Sequence, residues 1–237
     1  TRPIVVSELN KRRIFRVAAG NDFSVFLSRT GIVLTCGDGS KGCLGRSDLT
    51  SSFMPCMVDG LLNMDVVSIA CGPEHVVAVC SNGQAFTWGN SRHGRLGLTL
   101  RSGDANKPSV LNQHYVTKPQ LVDFKLAKKF DHDHERLGRS DSRPQEVFIR
   151  NAFCGDRCTI FIDSNYQCWA CGQNRSNKLG LDINRRFKRT IIVESVPIPV
   201  RISALHKELI VSCSIAKNHA SYLTREGKVL VLGQDID

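Results

Sequence analysis

The chain has 237 residues, of which 41% are hydrophobic and 23% charged, and it carries a net charge of +10 at pH 7. That length suits one all-β domain with a large core. With no apolar run of membrane length and no signal peptide, membrane insertion is not expected, and the ten cysteines point to a reducing cytosol or nucleus.

Four copies of one pattern follow in fixed register. The first has an apolar stretch at 14–18, an anchor at Gly20, apolar residues at Val25 and Leu27, a turn at Thr30-Gly31, further apolar positions at Leu34 and Cys36, then Gly37 and a closing Leu44-Gly45. The second runs through 66–70, Gly72, Val77 and Val79, Asn82-Gly83, Phe86 and Trp88, Gly89 and Leu96-Gly97. The third has 147–153, Gly155, Ile160 and Ile162, Asn165-Tyr166, Trp169 and Cys171, Gly172 and Leu179-Gly180. The fourth has 210–215, Ala216, Leu223, Glu226-Gly227, Leu230 and Leu232, and Gly233, with Asp237 reached before a closing pair. A register kept while most intervening residues vary means one supersecondary unit repeated.

Alternation with a period of two on either side of each turn predicts a β-hairpin per copy, and Asn82-Gly83 is the strongest such signal because both residues tolerate positive φ. The stretch before each anchor reads as a third strand. A fourth is expected before it, with candidates beside prolines at 55–58 and 119–124. Four short antiparallel strands per repeat predict a β-propeller of four-stranded blades, with Leu34, Phe86, Trp88 and Trp169 in the core. The repeat cores are 14–45, 66–97, 147–180 and 210–237, and the uneven anchor spacing places additions at about 99–143 and 182–207.

No catalytic, cofactor or metal site is expected. Cys36, Cys71, Cys154 and Cys171 occupy slots that other copies fill with alanine, isoleucine, tryptophan or leucine, so they read as small buried hydrophobes and all ten cysteines as free thiols. Cys168 and Cys171 have the CxxC spacing of a redox or zinc motif, but a strand sends them to opposite faces. The cluster from His132 to Glu135 lacks an adjacent ligand pair to complete a metal set. Gly37-Asp-Gly-Ser-Lys-Gly42 matches a phosphate-binding glycine pattern without the helix such a cradle requires. His75 and His219 share a slot with Phe23 and Cys158, which argues for packing over catalysis. Neither an HRD-type loop nor a DFG motif is present.

The runs Ile69-Ala-Cys-Gly-Pro-Glu-His75, Ala85-Phe-Thr-Trp-Gly89 and His93-Gly-Arg-Leu-Gly97 resemble the repeat of the RCC1 family, propellers named after the regulator of chromosome condensation. Cys171-Gly-Gln-Asn-Arg-Ser-Asn-Lys-Leu-Gly-Leu181 and the basic linker after it resemble the RCC1-like region C-terminal to the kinase domain of some NIMA-related serine/threonine kinases. The resemblance implies that residues 1–237 are a propeller fragment of about four blades out of seven. It also implies a protein-interaction and regulatory module that restrains or localises a kinase at centrosomes or cilia, with a cytoplasmic or alternatively nuclear address. The candidate contact surface is the basic loop Arg185, Arg186, Lys188 and Arg189, because clustered cations on a loop suit carboxylate or phosphate partners. Its expected partners are proteins, an attached kinase domain or a small GTPase. Guanine nucleotide exchange is the alternative function, and chromatin binding through nucleic acid is the less favoured one.

Overall fold

The structure is a computed structural model that describes residues 2–99, 114–125, 146–181, 183–185, 189–191 and 193–233. The first sheet takes β1 (Ile14–Ala19), β2 (Phe23–Ser28), β3 (Val33–Gly37) and β4 (Ser52–Met57) in that order. The second repeats it with β5 (Val66–Cys71), β6 (His75–Cys80), β7 (Ala85–Asn90) and β8 (Tyr115–Leu121). In the third, β9 (Ile149–Cys154), β10 (Cys158–Asp163) and β11 (Cys168–Gln173) are followed by a separate hairpin of β12 (Ile183–Arg185) and β13 (Arg189–Ile191) before β14 (Ser195–Arg201) completes the sheet. The fourth holds β15 (Ile210–Ile215), β16 (His219–Thr224) and β17 (Val229–Gly233). All pairings are antiparallel, as expected of propeller blades. The first strands β1, β5, β9 and β15 touch in succession and line the inner side of the array.

One assignment needs correction. The strands near Pro55 and Pro119 do not precede a blade of their own copy; they pair with β3 and β7 of the copy before them. Leu34 meets Met57 and Phe86 meets Leu121, so each closes the preceding sheet as its outer edge. Proline is tolerated there because an edge strand leaves alternate N–H groups unpaired. Thus β8 and β14, which fall within the stretches 99–143 and 182–207 read as additions, are blade framework. The rest of 99–143, including the cluster from His132 to Glu135, lies outside the described residues except for residue 99, 114 and 122–125.

The second and third sheets are apolar on both faces because each is sandwiched between neighbours. Val25, Leu27 and Val33 of the first sheet pack with Val76, Ala78, Phe86 and Trp88 of the second. The opposite face of the second sheet, with Val77, Val79 and Ala85, packs with Phe161, Trp169 and Cys171 of the third. Ile160, Ile162, Cys168 and Ala170 then pack with Cys213, Ala220 and Tyr222 of the fourth. Strict alternation along β6 and β10 therefore feeds two cores at once, and every residue of both strands is buried. Leu34, Phe86, Trp88 and Trp169 are buried as expected. Cys168 and Cys171 face different cores, which separates the CxxC pair physically.

The hairpin turns differ from the two-residue form. Gly31 donates to Ser28 O at 3.1 Å and Ser28 donates to Ile32 O at 2.9 Å, so the loop has three residues with only the last at positive φ. Residue 28 and its equivalents cap that loop: Ser28 Oγ accepts from Ile32 N, Asp163 Oδ1 from Gln167 N and Thr224 Oγ1 from Lys228 N. At the opposite strand end, the glycine in the last part of β11 is needed for two reasons. Gly172 has φ +101°, and a Cβ there would lie 2.6 Å from Cys158 Cα. Gly172→Ala is therefore expected to lower stability by roughly 2 to 4 kcal/mol, combining left-handed strain with a backbone shift, as read from the urea unfolding midpoint.

The candidate interaction rim

The loops that follow β3, β7 and β11 emerge on the same rim as the anchors, and the closing Leu-Gly pairs pin them there. In all three, the residue before that pair is buried at the seam with the next blade: Cys43, Arg95 and Lys178. Its carbonyl is a common acceptor. Trp88 Nε1 donates to Cys43 O at 2.8 Å, Thr159 Oγ1 to Arg95 O at 2.7 Å and Tyr222 OH to Lys178 O at 3.5 Å. Where that residue is a cation, its side chain crosses the seam as well. Arg95 Nη1 donates to Asp156 O at 3.3 Å and Lys178 Nζ to Lys217 O at 3.1 Å, each the first residue after an anchor. Arg95 also pairs with Glu74 Oε2 at 3.4 Å, and Asn90 Nδ2 reaches the same oxygen at 2.6 Å. These bonds make the seams rigid, so the rim loops ride on a fixed frame.

The rim surface carries both signs of charge over the first three copies, with Asp38, Glu74 and Asp156 among its acidic groups. Lys41 Nζ lies 3.1 Å from Tyr115 OH and over its ring, and Arg92, His93 and Arg157 follow around the rim. Partial burial, then the charges of Arg157, Arg95 and Arg92, hold the His93 imidazole below its usual range. A separate two-stranded unit lies between β11 and β14 in the chain. β12 and β13 leave the rim after Leu179-Gly180 and return at Ser195, which pairs with Gln173 of β11.

Of the four candidate contact residues, Arg185 and Arg189 stand at paired positions of this hairpin, and Arg186 and Lys188 lie outside the described residues. The described ends of the expected loop are thus paired strands, in a register that sets Arg185 opposite Arg189. His75 and His219 separate: His219 is exposed, whereas His75 is fully buried against the anchor. A Cβ on Gly72 would lie 2.5 Å from His75 Nδ1, so the anchor is glycine to admit the ring. Thr159 Oγ1 spends its proton on Arg95 O and therefore accepts from His75 Nε2–H at 3.0 Å. The histidine is a seam residue, in line with the packing role expected of its slot.

Burial governs the cysteines too. Cys171 is buried, whereas Cys36, Cys71 and Cys154 are only half-buried, a correction to their expected full burial. Cys71 and Cys154 end inner strands and Cys36 lies on the first sheet next to Arg46, which explains their partial access. Desolvation lifts the Cys43 and Cys168 thiols to about 12 and that of Cys80 to about 11. Iodoacetamide at pH 8 is expected to spare these three in the native protein and to label all ten in denaturant, as read by mass spectrometry. Among the described residues, no group of three or more histidine, cysteine or acidic side chains is placed to hold a metal ion.

Comparison with known proteins agrees with this architecture. The regulator of chromosome condensation (RCC1) repeat matches residues 30–79, and a second description of the same repeat matches 16–43 and 66–95. The serine/threonine-protein kinase Nek8 of Danio rerio is 30% identical over 92% of the chain and 28% of its own length. Nek9 of Xenopus laevis is 26% identical over 99% of the chain and 22% of its length. The chain thus spans roughly a quarter of these kinases. Prp20p of Saccharomyces cerevisiae, whose crystal structure was described with its binding properties to Gsp1p and histones, shares the fold with a TM-score of 0.66 at 20% identity, over 94% of this chain and 46% of that one. The chain thus carries RCC1 repeats within residues 16–95, and its later copies keep the same strand order.

Proposed function

We propose that the chain is a non-catalytic protein-interaction and regulatory propeller, serving as the RCC1-like region of a NIMA-related serine/threonine kinase. The observation that carries this reading is the likeness to Nek8 along 92% of the chain but only 28% of Nek8. Its setting is the cytoplasm, at centrosomes or cilia. Contact is made by the rim loops, chiefly the basic run Arg185, Arg186, Lys188 and Arg189, with a carboxylate- or phosphate-bearing protein surface, including that of the attached kinase domain. The register supports this, because it sets two basic residues, Arg185 and Arg189, at one paired position, which suits an anionic surface. Loops on a rigid frame are also where recognition concentrates.

The test is kinase activity of the full-length parent protein. Reversing the four charges to glutamate is expected to leave thermal stability nearly unchanged and to raise kinase activity. Unchanged activity in a normally folded variant would remove the regulatory role from this rim. An exchange assay on a panel of small GTPases and a salt-dependent DNA shift are expected to be negative.

A further inference from the structure

The opposite rim, where the hairpin turns lie, carries a second cationic feature. Three copies place glycine at the positive-φ position of the turn: Gly31, Gly83 and Gly227. The third copy places Tyr166 there at φ +62°, a conformation that disfavours a bulky side chain. Tyr166 O accepts from Ile210 N at 3.0 Å, so the turn is fastened to the fourth blade. Over the ring sit two guanidinium groups, Arg150 at 5.0 Å from β9 and Arg225 at 5.6 Å from the turn of the fourth blade. Both arginines are exposed. Among the described residues, neither has a carboxylate within ion-pair reach or a side-chain hydrogen-bond partner. The nearby Asp163 is committed, accepting from Trp169 Nε1 and from the backbone of Asn165 and Gln167.

We propose that Arg150, Tyr166 and Arg225 form a recognition site for a phosphorylated serine or threonine in a partner protein segment. Attraction to the ring quadrupole restrains the two guanidiniums while leaving N–H donors for an anion. A phosphate monoester carries a charge of about −1.5 to −2 at neutral pH and offers acceptor oxygens suited to arginine forks. Two unpaired guanidiniums match that charge. A strained residue kept where glycine would sit without cost fits a preorganised binding site. Beside the site Lys228 pairs with Glu226 at 2.8 Å and Lys125 with Glu146 at 4.0 Å, which sets Arg150 and Arg225 apart from the further basic residues Arg12, Arg13 and Arg29 at the turn end of the first blade and favours a compact anion over a polyanion. The site lies across the molecule from the β12–β13 hairpin and stands or falls independently of it.

The experiment is a titration of the 237-residue chain with N-acetyl-O-phosphoserine amide, followed through the arginine Nε–Hε resonances. Saturable shifts at Arg150 and Arg225 are expected, with none from the unphosphorylated amide. Arg150→Lys with Arg225→Lys, which keeps charge and bulk, is expected to weaken binding at least tenfold. Tyr166→Gly is expected to raise or preserve the unfolding midpoint yet weaken binding several-fold, a combination that a purely structural tyrosine would not give. The proposal is overturned by equal shifts from the unphosphorylated amide, by unaltered affinity in either variant, or by a short DNA duplex that binds these two arginines more tightly than the phosphoserine probe does.

Discussion

Trp88→Ala is expected to destabilise the chain by roughly 3 to 5 kcal/mol, the range for truncating a large aromatic in a close-packed core. Trp88 is fully buried and is the largest side chain between the first and second blades. Its Nε1 also supplies the bond to Cys43 O at 2.8 Å, and alanine would leave that carbonyl without its seam partner. A Cβ on Gly45 would lie 2.9 Å from the same nitrogen, so the closing Leu-Gly pair is shaped around the indole. The loss should appear in the urea midpoint, with the blade-one and blade-two peptides losing hydrogen-exchange protection first. A cost below about 1 kcal/mol would mean that the seam is not the unit of stability.

Acid should loosen the seam between the second and third blades. Burial, reinforced by the charge of Arg95, pushes the His75 imidazole down to about 3 from its ordinary value of 6.5. Below pH 6.5 the unfolded chain takes up a proton that the folded chain refuses, so stability falls as pH drops, by about 1.4 kcal/mol per unit until the folded-state value is reached. The contribution is fully present above pH 6.5 and is lost progressively between there and pH 3. In His75→Phe, which borrows the residue of the first copy at Phe23, this slope should vanish while stability at neutral pH drops modestly through loss of the bond to Thr159. Denaturant titrations at a series of pH values measure both. An equal slope in the two proteins would show that His75 is not the titrating group.

The blades were legible because their signals are local and repeated. Glycines at fixed offsets, alternation of period two and turn residues recur in each copy, so chance agreement is excluded by repetition. What escaped was long-range. A strand near proline can pair forward or backward in the chain, and only the sheet shows that β4 and β8 close the copy before them. The seam is similarly hidden: Arg95 and Lys178 look like surface cations in the sequence, yet both are buried because each reaches a carbonyl on the next blade. The Arg150, Tyr166 and Arg225 cluster draws on residues far apart in the chain, although one clue was visible in the substitution of Tyr166 for the glycine of the other turns. The basic run at 185–189 was visible as composition, but its hairpin form was not, since it has no turn glycine.

The measurement that bears most directly on a scaffold whose function lies on one loop rim is quantitative capture of partners by the parent chain and by a variant with Arg185, Arg186, Lys188 and Arg189 each changed to glutamate. The predicted result is selective loss of captured proteins at an unchanged thermal midpoint. Capture of the same proteins in the same amounts by the normally folded variant would contradict it and move the contact surface to another part of the propeller.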